Sequence, residues 1–160
     1  MKIIITTLLC FLLFSTPLSS FSYRTCLVKI TDKENILKRF GGSDVWNPGD
    51  LNRPELEKSI KQFLKSPTIN FITFNSEKIL TNLTIYAIEY AGIVKDGKKI
   101  IVCQMTVDYD DENFRVCPKN KGKFEESTFS ITLDGGCNIV SLYFDPNEKK
   151  IINLYCNGEP

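Results

Sequence analysis

Cysteine is the residue type with the clearest chemistry in this sequence, and histidine is the one whose absence decides most. The 160 residues include six Cys, one Trp and no His. Without His there is no Ser-His-Asp or Cys-His nucleophile system and none of the common His-ligated zinc or haem sites. No CxxC pair occurs, which argues against a zinc cluster. The acidic run Asp108, Asp110, Asp111 and Glu112 lacks the ligand spacing of a calcium loop and reads as a solvated turn between strands. The chain is therefore read as a non-enzyme that carries no cofactor and no metal. Lys+Arg total 20 and Asp+Glu 19, for a net charge of +1, so the basic excess expected of a nucleic-acid binder is missing.

The N-terminus points to an oxidising destination, where disulfides are the default state of the cysteines. Met1-Lys2 is followed by an apolar run from Ile3 to Phe14, then by a Ser-rich stretch with Pro17. Ser20 and Ser22 fit the small-residue positions of a cleavage site before Tyr23. Residues 1–22 are read as a secretory signal peptide, since the apolar run is too short to span a bilayer. The expected mature protein is secreted, has no membrane segment, and keeps Cys26, Cys103, Cys117, Cys137 and Cys156.

The elements that must position these cysteines follow from hydropathy and turn residues. Residues 23–40 form an N-terminal segment with an apolar patch at Leu27–Ile30. Gly41-Gly42 and Asn47-Pro48-Gly49-Asp50 are loop and turn signals. A helix begins near Pro54, capped by Asn52 or Arg53, with Leu56, Ile60, Phe63 and Leu64 on one face and a Glu57–Lys61 pair; Pro67 stops it. Strands are expected afterwards. They cover Ile69–Phe74, Leu83–Val94 and Ile100–Tyr109, the last two joined by Asp96-Gly97, a strong two-residue hairpin signal. A short return through Val116 and Cys117 precedes a polar loop over 118–126 bearing Lys119, Lys121 and Lys123. Phe129–Leu133 alternates as a strand, and Ile139–Phe144 and Ile151–Cys156 form a last hairpin around Asp145-Pro146-Asn147-Glu148. The fold class is α+β, with one helix packed against a curved antiparallel sheet.

Hairpin register then pairs the cysteines. A turn at Pro146-Asn147 sets Cys137 opposite Cys156, and a turn at Asp110 sets Cys103 opposite Cys117. Two C-terminal hairpin disulfides are expected, Cys103–Cys117 and Cys137–Cys156. Cys26 is left over, available for a disulfide-linked dimer.

This order of parts resembles the cystatin superfamily over residues 41–160. Gly41-Gly42 lies where cystatins keep an N-terminal glycine. Lys78-Ile79-Leu80-Thr81-Asn82 is similar to their first-loop motif Gln-x-Val-x-Gly, and Cys137 with Cys156 matches their last disulfide. Val116-Cys117-Pro118 and Leu142–Pro146 show a weaker resemblance to cathelicidin propeptide domains. The resemblance implies a secreted, divergent inhibitor of papain-like cysteine proteases. The wedge it implies is made of Gly41 and Gly42, then Lys78, Ile79, Leu80, Thr81 and Asn82, then Asp145, Pro146 and Asn147. The alternative is a non-inhibitory module of the same fold that binds another protein or a ligand. Asn82 replaces the motif's glycine and opens an Asn-Leu-Thr glycosylation sequon. The second loop has no Trp; the chain's Trp46 lies near the N-terminal glycines and reads as a packed anchor.

Overall fold

A computed structural model describes residues 25–66, 73–107, 117, 123–126, 128–129 and 135–157. Residues 1–22, read as a signal peptide, the acidic run at 108–112, and Lys119 and Lys121 lie outside the described residues. The chain is α+β. Its described residues form a seven-stranded mixed sheet and three helices.

The N-terminal segment is built into this sheet. β1 (Leu27–Ile30) runs parallel to β3 (Tyr86–Lys95) and β5 (Lys123–Glu126), and β2 (Asp44–Trp46) pairs antiparallel with the far end of β3. β4 (Lys98–Val107), β6 (Gly136–Asp145) and β7 (Lys150–Asn157) continue as antiparallel neighbours, giving the order β5-β1-β3-β4-β6-β7. Residues 123–126, expected in a loop, are therefore strand. Thr31 N donates to Glu126 O at 2.9 Å and extends that pairing.

Two apolar layers sandwich the sheet. α2 (Arg53–Leu64) starts as its sequence dictates. The Asn52 side chain accepts from Glu55 N at 3.2 Å, and Pro54 sits in the first turn. Leu56 and Ile60 are fully buried, with Phe63 and Leu64 packed beside them. Glu57 pairs with Arg53 at 2.8 Å, one turn back, in place of the expected Lys61.

A larger departure from expectation is α3 (Thr73–Asn82). Thr73 and Phe74 were expected to close a strand, and Lys78–Asn82 to form a hairpin loop; both stretches are helical. Ile79 and Leu83, four residues apart, are buried against the same core as α2. Helical spacing puts Ile79 on the same face as Leu83, the residue just past the helix end, so one apolar stripe serves both. β3 then starts at Tyr86, with its hydroxyl donating to Cys137 O at 2.6 Å.

α1 (Lys33–Phe40) covers the opposite face, so the described chain has three helices where one was expected. Asp32 caps it by accepting from Asn35 N at 3.0 Å. Ile36 and Phe40 bury against Val28, Ile93 and Val102, and the Phe40 ring meets Phe129 edge-on at 4.9 Å. This layer also holds a polar chain that runs from exposed Arg39 to buried Gln104 and Glu89. Arg39 donates to Gln104 Oε1, and Gln104 Nε2 donates to Glu89 Oε2 at 3.2 Å. A buried carboxylate is tolerated when such partners hold it.

The cysteines need one correction. Cys137 and Cys156 are bonded as expected, with Cα atoms 4.6 Å apart. The turn that brings them there is longer than predicted, because Asp145 pairs with Lys150. The bulge at Ile152 shifts the register one residue further, and the slip between Gly136 and Val140 restores the match. Cys117 does not bond Cys103. It bonds Cys26, with Cα atoms 5.7 Å apart, so Cys26 is not left for a dimer. The sheet itself separates the expected partners. Cys103 points into the layer under α2 and α3, while Cys26 and Cys117 lie in the layer under α1. Cys103 is the free, buried thiol, and desolvation raises its pKa far above the ordinary range, which leaves it inert as a nucleophile.

Candidate functional site

Three turns emerge from one end of the sheet, and strand register puts them there. β2 begins beside the end of β3, with Asp44 opposite Val94. Lys95 pairs with Lys98 across the β3–β4 turn, and Ile101 opposite Phe144 brings the β6–β7 turn to the same end. Gly41–Gly42, Asp96–Gly97 and Pro146–Lys149 thus form a row.

Each turn has a local cause. Gly41 N donates to Leu37 O at 2.8 Å and closes α1. Gly42 has φ +110°, and a Cβ there would lie 2.8 Å from Val94 O, so the chain passes too close to β3 for a side chain. Ser43 N donates to that same carbonyl at 2.8 Å. Asp96 and Gly97 have φ of 52° and 74°, the pair of left-handed residues that a tight two-residue hairpin requires. In the third turn the Asp145 carboxylate, itself buried, accepts from Asn147 N at 2.9 Å and Glu148 N at 3.0 Å.

Helix α2 fixes that third turn. Ser59 Oγ reaches Lys149 O at 2.7 Å, and Lys149 Nζ pairs with Glu55 at 2.7 Å. At the first turn, Lys33 Nζ meets Asp44 Oδ1 at 2.6 Å and holds the Asp44 carboxyl below its usual range, helped by the Val45 N–H. Trp46 does not project from the row. It lies across Gly92, its indole N–H donates to Ile93 O at 3.0 Å, and Lys99 stands 5.2 Å over its ring.

Of the expected wedge residues, the structure brings together Gly41, Gly42, Asp145, Pro146 and Asn147. It separates Lys78, Ile79, Leu80, Thr81 and Asn82 from them. These belong to the end of α3, which leads into Tyr86, at the start of β3. Ten residues of strand separate Tyr86 from Lys95, about 30 Å at roughly 3.3 Å per residue. Ile79 is also fully buried. The turn that joins the row instead is Asp96–Gly97, whose Asp-Gly signal was visible in the sequence as a hairpin.

Between the second and third turns lies a groove of about 590 Å³, lined by Lys95, Lys98, Ile100, Tyr143 and Tyr155 among others. Tyr143 forms part of it, with its hydroxyl donating to Phe40 O at 3.1 Å and Lys95 Nζ 4.8 Å from its ring centroid. Burial, with the adjacent Tyr155, pushes the Tyr143 hydroxyl up. Among the described residues, no group of three or more His, Cys, Asp or Glu is placed to hold a metal ion. This end of the molecule offers shape, backbone and charge for contact.

No family model, curated protein or solved structure matches this chain.

Proposed function

We propose that the chain is a secreted, divergent cystatin-like inhibitor of papain-like cysteine proteases, and that the row of turns is its wedge. The observation that supports this reading is the convergence of Gly41–Gly42, Asp96–Gly97 and Asp145–Asn147 at one end of the sheet. A wedge of this kind acts by fit, with no bond made or broken on the inhibitor. Its affinity depends on turns already held in their bound shape, because ordering costs are then met in folding. The positive-φ hairpin and the ties from α2 supply that. In this reading the first hairpin loop is Asp96–Gly97, so it retains a glycine, and Lys78–Asn82 takes no part.

The position of Asn82 bears on the sequon. It lies at the end of α3, away from the row, so a glycan there leaves the wedge clear. A second reading, a non-inhibitory binding module, is favoured by one observation: Trp46 is packed on the sheet, and the β6–β7 turn has no Trp.

The deciding experiment is inhibition of papain and of a cathepsin L-type protease by the oxidised, secreted protein, with and without removal of N-glycans. Nanomolar inhibition in both samples is expected. A folded sample that fails to inhibit at tens of micromolar retires the proposal in favour of the second reading.

A further inference from the structure

The groove between the two hairpins has a feature that the wedge does not use. Among the described residues, the exposed large apolar side chains are Ile152 and Tyr155, at 48% and 40% relative exposure, and both line this groove. Scattered exposed apolar side chains need no explanation, but two in one concavity do. Ile152 is there by construction. Phe144 pairs with Ile151 and Tyr143 with Asn153, so Ile152 is the extra residue of a bulge. Bulges re-aim side chains, and this one turns an isoleucine out beside Tyr155. Tyr143 is held from behind by its bond to Phe40 O.

The charge of the groove balances at three lysines and three carboxylates, but it is segregated between its two walls. Asp145 is spent on the backbone of its own turn, and Glu148 pairs with Lys150. Lys95 stands over the Tyr143 ring, and no carboxylate among the described residues pairs with Lys98. On the β3–β4 wall, among the described residues, Asp96 at the turn tip is the one carboxylate beside these two ammonium groups, so that wall is positive, while Asp145, Glu148 and Lys150 line the facing wall. A volume of about 590 Å³ lies within the roughly 300–1,000 Å³ of small-molecule sites, which join apolar walls to a few placed polar groups.

We propose that this groove binds an aromatic organic anion, with Lys95 and Lys98 taking the anionic group and Tyr143, Ile152 and Tyr155 taking the ring. The aromatic body follows from two tyrosine faces, and the anion from the two lysines of the β3–β4 wall, which outnumber the carboxylate beside them. The proposal rests on the groove and not on the inhibitor reading.

The test uses naphthoate and the oppositely charged naphthylmethylammonium as probes of the full oxidised protein. Binding is followed by calorimetry and by amide shifts in NMR, with no protease present, so its failure is separate from failure of the wedge. Saturable naphthoate binding is expected, with shifts over Lys95–Ile100 and Tyr143–Tyr155. The Lys95→Glu/Lys98→Glu pair and Ile152→Asp should each weaken it about tenfold or more, a change of about 1.4 kcal/mol. Both variants alter exposed or rim positions, and circular dichroism confirms that they fold. Equal binding of the two probes, unchanged binding by folded Ile152→Asp, or no binding at millimolar naphthoate each overturns the proposal.

Discussion

The two ends of the sheet are held by different means. At the end where β3 begins, the ties are covalent and long-range. Cys137–Cys156 joins β6 to β7 there, and Cys26–Cys117 anchors the entry to β1, where Ile88 N donates to Cys26 O at 3.0 Å. At the hairpin end the described ties are turns, caps and ion pairs. The difference suggests a division of labour, in which one end carries the stability and the other presents backbone in a fixed shape.

The strongest way to break this comparison is to remove the disulfides. Their sequence separations are 91 and 19 residues. Loop-closure entropy then gives about 4–5 kcal/mol for the first and about 3 kcal/mol for the second. Cys26→Ser/Cys117→Ser should therefore destabilise more than Cys137→Ser/Cys156→Ser in urea melts. Each should keep protease inhibition wherever it remains folded, because neither bond touches the row of turns. Inhibition lost from a folded variant would show that the two ends are not independent.

The next effect is smaller in stability and larger in function. Gly42→Ala puts a Cβ against Val94 O at a φ that L-residues avoid. A cost of about 1–3 kcal/mol is expected, with inhibition falling more steeply than stability. Ser59→Ala, which releases the β6–β7 turn from α2, should cost about 1 kcal/mol and weaken inhibition without changing the fold. Chemical denaturation and inhibition constants on the same samples separate the two effects. Equal losses at both readouts would make these residues simple stability determinants.

Much of this comparison was legible in the residues. The Asn52-Arg53-Pro54 start of α2, the Asp96-Gly97 turn and the final hairpin each follow from local chemistry: a capping side chain, two left-handed residues, an alternating apolar pattern. What was not legible depends on tertiary contact. Thr73–Asn82 has a poor local signal, with Thr and Asn at both ends, and its helix packs Ile79 into the core that α2 also covers. Cys117 could not be assigned from index spacing, because spacing along a hairpin says nothing about which face of the sheet a later segment crosses. The Cys137–Cys156 pairing emerged from the sequence although its turn was too short by two residues, since the three-residue slip before Val140 cancels the longer turn and the one-residue bulge at Ile152 together. The row of turns was half visible. Its two flanking members were expected, and its middle member was recognised as a turn without being recognised as part of a site.

The smallest expected effect sharpens the contrast between a covalent end and an electrostatic one. Lys33 and Asp44 tie α1 to β2 next to Gly42, and both are well exposed. The Asp44 carboxyl titrates below its ordinary value of about 4, first because Lys33 donates to it and then because Val45 N does. A depressed carboxylate stabilises the fold above its unfolded pKa, and that contribution disappears as pH falls through the folded value. Acid should therefore loosen the hairpin end while the disulfides, which do not titrate, keep the far end closed. Amide exchange of Ser43 and Val45 should quicken as pH drops below about 4, relative to the intrinsic rate, and salt should blunt the effect. Asp44→Asn should show the faster exchange already at neutral pH and lose its pH dependence. If wild type and Asp44→Asn exchange alike across that range, the ion pair does not hold this end, and the burden falls on the backbone bond from Ser43 to Val94.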